Sequence, residues 1–207
     1  MSFTAEVKDE LARVETDDEL ALFAELSALV RVCGTLSFRG SGRYSVKVAT
    51  ETGSVARTTI KLAHQLLDVE TRLTVRRSNL HKTRNYLIEM PEQDDLAGHL
   101  VRLGILVPGH GLATGVPRPL LQTLQGRAAF VRGAFMAGGF VADPRGDFHL
   151  EIAVTGEDFW PTFSPAWARA RASTAAAAPS PYTSRASTTS SRSCAPWAPG
   201  AWRASSR

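Results

Sequence analysis

One pattern is written twice in this chain. Glu19 to Cys33 reads as a helix that is apolar over most of its circumference (Leu20, Leu22, Phe23, Leu26, Leu29, Val30, Val32). Gly34 closes it, and Thr35 to Phe38, the turn Arg39-Gly40-Ser41-Gly42-Arg43 and the alternating run Tyr44 to Thr50 read as a β-hairpin. About 105 residues later the order returns: Leu124 to Gly138, Gly139, Phe140 to Ala142, the turn Asp143-Pro144-Arg145-Gly146, and Asp147 to Val154. A helix apolar on most sides must be buried on most sides, so the repeat predicts two pseudo-symmetric halves built around a pair of core helices. Gly133, Ala134 and Ala137 allow close backbone approach to a helix such as the one around Leu26, although any buried helix can carry small residues.

The rest of the folded part falls around this repeat. Ser2 caps an amphipathic helix running to about Val14, with Phe3, Val7, Leu11 and Val14 on one face. Asp17 or Asp18 caps the first apolar helix. Gly53 to Leu67 is helical, with Val55, Ile60, Ala63, Leu66 and Leu67 inward. A second hairpin pairs Val69–Arg76, with Val69, Thr71, Leu73 and Val75 on one face, with Arg84–Met90. Glu92 to Leu103 is a helix closed by Gly104, and the Gly- and Pro-rich residues 104–122 read as a linker. The expected divisions are an N-terminal helix (1–16), a first half (17–103), the linker (104–122), an incomplete second half (123–159) and a tail (160–207). The fold class is α+β, two αββ-containing halves.

The tail has a foreign composition. Residues 160–207 hold 13 Ala, 10 Ser, 6 Pro, 5 Thr and 6 Arg, no Leu, Ile, Val, Asp, Glu or Lys, and all four Trp of the protein. With no aliphatic side chains to bury, such a segment is expected to be disordered. All but Phe163 and Tyr182 are residue types whose codons carry C or G at the second base, as a GC-rich gene gives when its third codon position is read one place early. The first bases implied under Trp160, Phe163, Ser164 and Trp167 restore apolar residues at i, i+3, i+4 and i+7. We therefore expect a frameshift near residue 159; a genuine Ala/Ser/Pro linker is the alternative. Residues 1–159 carry 18 basic against 20 acidic side chains, so the overall +4 charge argues nothing about nucleic acid and only local patches can.

Several separated stretches resemble one family. The opening Met1-Ser2-Phe3-Thr4-Ala5-Glu6-Val7-Lys8-Asp9-Glu10-Leu11, the run Thr74-Val75-Arg76-Arg77-Ser78-Asn79, the helix Phe130-Val131-Arg132-Gly133-Ala134-Phe135-Met136-Ala137-Gly138-Gly139 and His149-Leu150-Glu151-Ile152 are similar, in order, to the WhiA family. The resemblance covers residues 1–158. It implies a DNA-binding transcription regulator tied to cell division and, in some lineages, sporulation. The implied architecture is an N-terminal domain like the LAGLIDADG homing endonucleases joined to a C-terminal helix-turn-helix domain. On that pattern the second half stops early here and the helix-turn-helix domain is missing, so a defective truncation is expected.

The resemblance also locates a site. A LAGLIDADG endonuclease needs one acid at the C-terminal end of each core helix to hold divalent metal against the scissile phosphates. Aligning Gly34 and Gly139 with the last Gly of that motif puts Cys33 and Gly138 at the acid positions, so neither a metal nor cleavage is expected. The second hairpin gathers Arg72, Arg76, Arg77, His81, Lys82 and Arg84, of which Arg72, Arg76, Arg77, Lys82 and Arg84 are candidates for DNA-phosphate contacts. The same charges equally suit a solvated hairpin with a protected edge.

Other chemistry finds little support. Cys33 has no Cys or His partner at metal spacing and reads as a buried thiol. Gly109-His110-Gly111 lacks the ending of a phosphate loop, and the five His form no HExxH or triad pattern. No apolar run is long enough to span a membrane, and two Cys point to a reducing cytoplasm. The expectation is a cytoplasmic, nucleoid-associated, non-enzymatic DNA binder with no cofactor and no small-molecule substrate. A residual endonuclease and a protein-interaction module are the alternatives.

Overall fold

A computed structural model describes residues 2–40, 42–77, 84–109, 111–113, 115–146 and 149–153. The expected tail, 160–207, lies outside the described residues. The first helix, α1 (Phe3–Leu11), is capped by the Ser2 hydroxyl and ends a turn earlier than the periodicity suggests, leaving Val14 half exposed. The core helix α2 spans Glu19–Cys33, where an Asp18 carboxylate oxygen accepts from the N–H groups of Leu20 and Ala21. Ala21 and every residue from Phe23 to Val30 are buried, as a helix apolar on most sides requires.

Strands β1 (Gly34–Phe38) and β2 (Tyr44–Thr50), helix α3 (Gly53–Leu67), strands β3 (Arg72–Arg77) and β4 (Arg84–Met90) and helix α4 (Leu96–Arg102) complete the first half. The strands form one antiparallel sheet in the order β1-β2-β4-β3. Leu36, Val46 and Met90 stand in one cross-strand row, and Val48, Ile88 and Leu73 in the next, which fixes the face turned to the helices. β3 starts at Arg72 rather than Val69, because Asp68 leaves α3 in a left-handed conformation (φ +50°) and Val69 turns into the core instead. Leu73 and Val75 do share the helix-side face, but at the edge strand they reach past the helices and stay half exposed.

The segment 104–122, read as a linker from its Gly and Pro, is a packed part of the core. It forms the short hairpin β5 (Leu106–Val107) and β6 (Gly111–Leu112) and a 3-10 turn at Arg118–Leu121, and buries Ile105, Leu106, Val116, Leu120 and Leu121. Gly104 has φ +67°, and a Cβ there would meet the Pro117 ring at 2.5 Å, so the turn demands glycine. Arg31 and Ser27 tie this segment to α2, through Gly104 and Gly115 carbonyls for Arg31 and the Leu103 carbonyl for Ser27.

The second half begins with α5 (Leu124–Gly138), capped by Thr123, and continues in the hairpin β7 (Gly139–Val141) and β8 (Leu150–Ile152). α2 and α5 form the most extensive helix contact of the fold. At its centre a Cβ on Gly133 would stand 2.5 Å from the Glu25 carbonyl oxygen, so the expected close approach is real and glycine permits it. Beside it the Arg132 guanidinium pairs with the Glu25 carboxylate, both nearly out of solvent. Burial pushes the Glu25 carboxyl above its usual range, and Arg132 pulls it part of the way back. The N-terminal helix joins this half as well: the Thr4 hydroxyl donates to the Val141 carbonyl (2.8 Å) and accepts from the Val141 N–H (3.2 Å).

Candidate nucleic-acid interface

The register divides the basic cluster of the second hairpin. Side chains alternate across a strand, so Arg72, Thr74 and Arg76 stand on the face turned away from the helices. Lys47, Ala49, Asn85, Leu87 and Glu89 of the neighbouring strands share that face. Arg77 and Arg84 are cross-strand partners on the opposite face, at the mouth of the hairpin. Lys82 and His81 lie outside the described residues. All of β3 is exposed, and among the described residues neither Arg72 nor Arg76 is in an ion pair. Glu89 sits between Lys47 and Arg72 in one row and bridges to Lys47 at 3.5 Å, so that row keeps one net positive charge. The resulting surface is modestly cationic, carried by arginines on an otherwise small and polar sheet face.

The two acid positions of the resemblance come together at the C-terminal ends of α2 and α5. A Cβ on Gly138 would stand 2.5 Å from the Ala153 carbonyl oxygen and 2.8 Å from Val32, so that position has no room for a carboxylate side chain. The Cys33 thiol donates to the Leu29 carbonyl at 3.2 Å, and burial pushes it up to about 11, which keeps it a neutral thiol. The donor set does not fit a divalent metal, which asks for hard oxygen ligands. Among the described residues, no group of three His, Cys, Asp or Glu side chains converges elsewhere.

An open cleft of about 550 Å³ lies beside the end of α5. Ser2, Thr4, Ala5 and Lys8 of the N-terminal segment line it on one side, the β2–α3 connection with Thr50, Glu51 and Thr52 on another, and Arg84, Asn85 and Ala137 complete it. Lys8 had no signal in the sequence: it is one charge on an amphipathic helix, and only the docking of α1 across α3, α5 and β7 brings it near Cys33. Burial lowers its ammonium below the usual lysine range, opposed by the Glu51 carboxylate nearby.

Comparison with known proteins is consistent along the chain. The family model of the WhiA N-terminal LAGLIDADG-like domain matches residues 21–106, and that of the WhiA LAGLIDADG-like domain matches residues 127–175, past the point where the composition changes. The "Probable cell division protein WhiA" of Thermoanaerobacter sp. (strain X514) is 38% identical over 156 residues, covering 73% of this chain and 49% of that protein. Its counterpart in Desulfitobacterium hafniense (strain DSM 10664 / DCB-2) is 40% identical over 153 residues, with 73% and 47% covered. The chain thus spans about half the length of the relatives it matches. The crystal structure of the N-terminal LAGLIDADG domain of DUF199/WhiA superposes with a TM-score of 0.57 at 20% identity, over 79% of this chain and 70% of that one. Full-length DUF199/WhiA from Thermatoga maritima gives 0.55 at 19%, over 79% and 48%. The LAGLIDADG-like α+β fold is therefore shared, and with two models of one family matched in chain order, the chain belongs to the WhiA family.

Proposed function

We propose that this chain is a DNA-binding protein of the WhiA type, active in cell division, which holds duplex DNA on the outward face of its four-stranded sheet and does not cut it. The role in cell division follows the names of its relatives. Control of transcription, and sporulation in some lineages, follow the resemblance, as does a cytoplasmic, nucleoid-associated location. The observation that carries DNA binding is the placement of Arg72 and Arg76 on one exposed sheet face, free of ion pairs among the described residues. Cations so placed contact phosphates without reading sequence. Each phosphate contact adds about 0.9 to the slope of log affinity against log salt. Replacing Arg72 and Arg76 together by Gln should therefore lower that slope by about 2 on any duplex sequence. An unchanged slope rejects the sheet face as the interface.

The absence of cutting rests on chemistry at the helix ends. A neutral thiol and a glycine with no space for a side chain replace the two carboxylates that would hold metal against phosphate. Purified protein should leave supercoiled plasmid intact in Mg²⁺; nicking that EDTA abolishes overturns this. The protein-interaction alternative draws on the half-exposed Leu73 and Val75 of the edge strand, and association that nuclease treatment leaves intact would favour it. We further read residues 160–207 as translated out of frame, on their composition. Sequencing the gene around codon 159 tests this directly.

A further inference from the structure

We propose that the cleft between α1, the end of β2 with its connection to α3, and the end of α5 binds one backbone phosphate of duplex DNA, with Lys8 as its central cation. This rests on the DNA-binding reading above and adds to it a site away from the β3 arginines. Three observations carry it. Lys8 is partly withdrawn from water and makes no ion pair among the described residues. A half-buried ammonium that faces one carboxylate, Glu51, without bridging to it gains from a bound oxyanion, which returns part of what desolvation removed. The lining supplies further donors, Arg84 and Asn85 with the hydroxyls of Ser2, Thr50 and Thr52, against the single carboxylate of Glu51. Cys33 contributes no charge, because burial keeps its thiol neutral.

The third observation is continuity. Asn85 stands directly across from Arg76 on the outward sheet face, and Ala49 belongs to the same face, so the cleft opens at the end of the proposed interface. A duplex lying along Arg72 and Arg76 would carry its backbone toward Lys8. Where two carboxylates would hold a metal ion against a phosphate, this chain brings its own fixed cation on α1. A lysine there can bind the phosphate but supplies neither an activated water nor a Lewis acid.

The test compares Lys8→Gln, Lys8→Arg and the Arg72→Gln/Arg76→Gln pair, each binding a short random-sequence duplex over a salt series. Lys8→Gln should lower the salt slope by about 1, Lys8→Arg should restore it, and the loss should add to that of the double variant. On the wild type, bound duplex should protect Lys8 from amine acylation, read by mass spectrometry, which needs no variant to fold. If the double variant loses slope while Lys8→Gln does not and Lys8 stays reactive in the complex, the cleft proposal fails and the sheet interface stands. A wild type that binds no duplex overturns both. Protection of Lys8 by inorganic phosphate alone, equal to that by duplex at matched ionic strength, identifies a free-anion site and also overturns it.

Discussion

The two halves start from the same local code and end differently. α2 and α5 are each 15 residues long, each passes through a glycine into a strand, and they stand 105 residues apart. Yet α2, packed by the sheet, α3 and α5, exposes only Leu20 (47%) of its large apolar residues, in its first turn, whereas α5 leaves Leu124 (74%) and, near its middle, Val131 (42%) to solvent. β2 is paired on both edges and mostly buried; β7 and β8, among the described residues, pair only with each other. Among the described residues, similar helices thus differ in burial because a four-stranded sheet and α3 pack on α2, while a two-stranded hairpin follows α5. The second half leans on the first through Arg132–Glu25 and the Gly133 contact, and on the N-terminal helix through the bond from Thr4 to Val141.

Cutting these links should uncouple the halves. The largest effect is expected for Arg132→Ala, which leaves Glu25 buried without its partner and should cost about 3–5 kcal/mol at neutral pH by denaturant unfolding. The sign with pH follows from the raised Glu25 carboxyl. A carboxyl whose folded pKa exceeds its unfolded value favours the native state when protonated and opposes it as pH rises through the folded value. The variant should therefore recover part of its loss as the pH is lowered toward the ordinary glutamate value of 4.5. A loss independent of pH would mean that Glu25 is not its source.

Next comes Gly133→Val, which drives a side chain into the α2 backbone and should cost about 2–3 kcal/mol. A near-neutral outcome would show that α5 can shift, and that the halves are more loosely joined than their packing indicates. The smallest is Thr4→Val, which removes both hydrogen bonds to Val141 at a cost of about 1–2 kcal/mol. Amide exchange should speed up in β7 and stay unchanged in β2 and β4. Equal acceleration in both sheets would deny that α1 serves the second half in particular.

The candidate interface was only partly legible in the sequence. The basic cluster around Arg72–Arg84 stands out as a run of charges, but a run does not say which members share a face. The pairing of β3 with β4 sets Arg72 and Arg76 apart from Arg77 and Arg84. Cys33 and Gly138 were singled out through the resemblance, by setting Gly34 and Gly139 on the last glycine of the LAGLIDADG motif, and glycine does close both helices. Lys8 and the cleft could not, because they depend on where α1 docks. The Gly and Pro content of 104–122 suggested a linker, and its buried Ile105, Leu106, Leu120 and Leu121 belong to the core instead.

By itself the sequence determined the periodic and the punctuated: where α2, α3 and α5 run, an Asp cap at 17 or 18, the hairpin turns and the doubling of the pattern. Those signals are local, carried by 3.6- and 2-residue spacing and by residues that suit caps and turns. Tertiary structure alone decided which arginines face outward, which glycine meets a backbone, and that an N-terminal lysine stands at the core-helix ends. Each of these is a meeting of residues many positions apart, and its geometry is set by strand register and helix packing rather than by any neighbour in the chain.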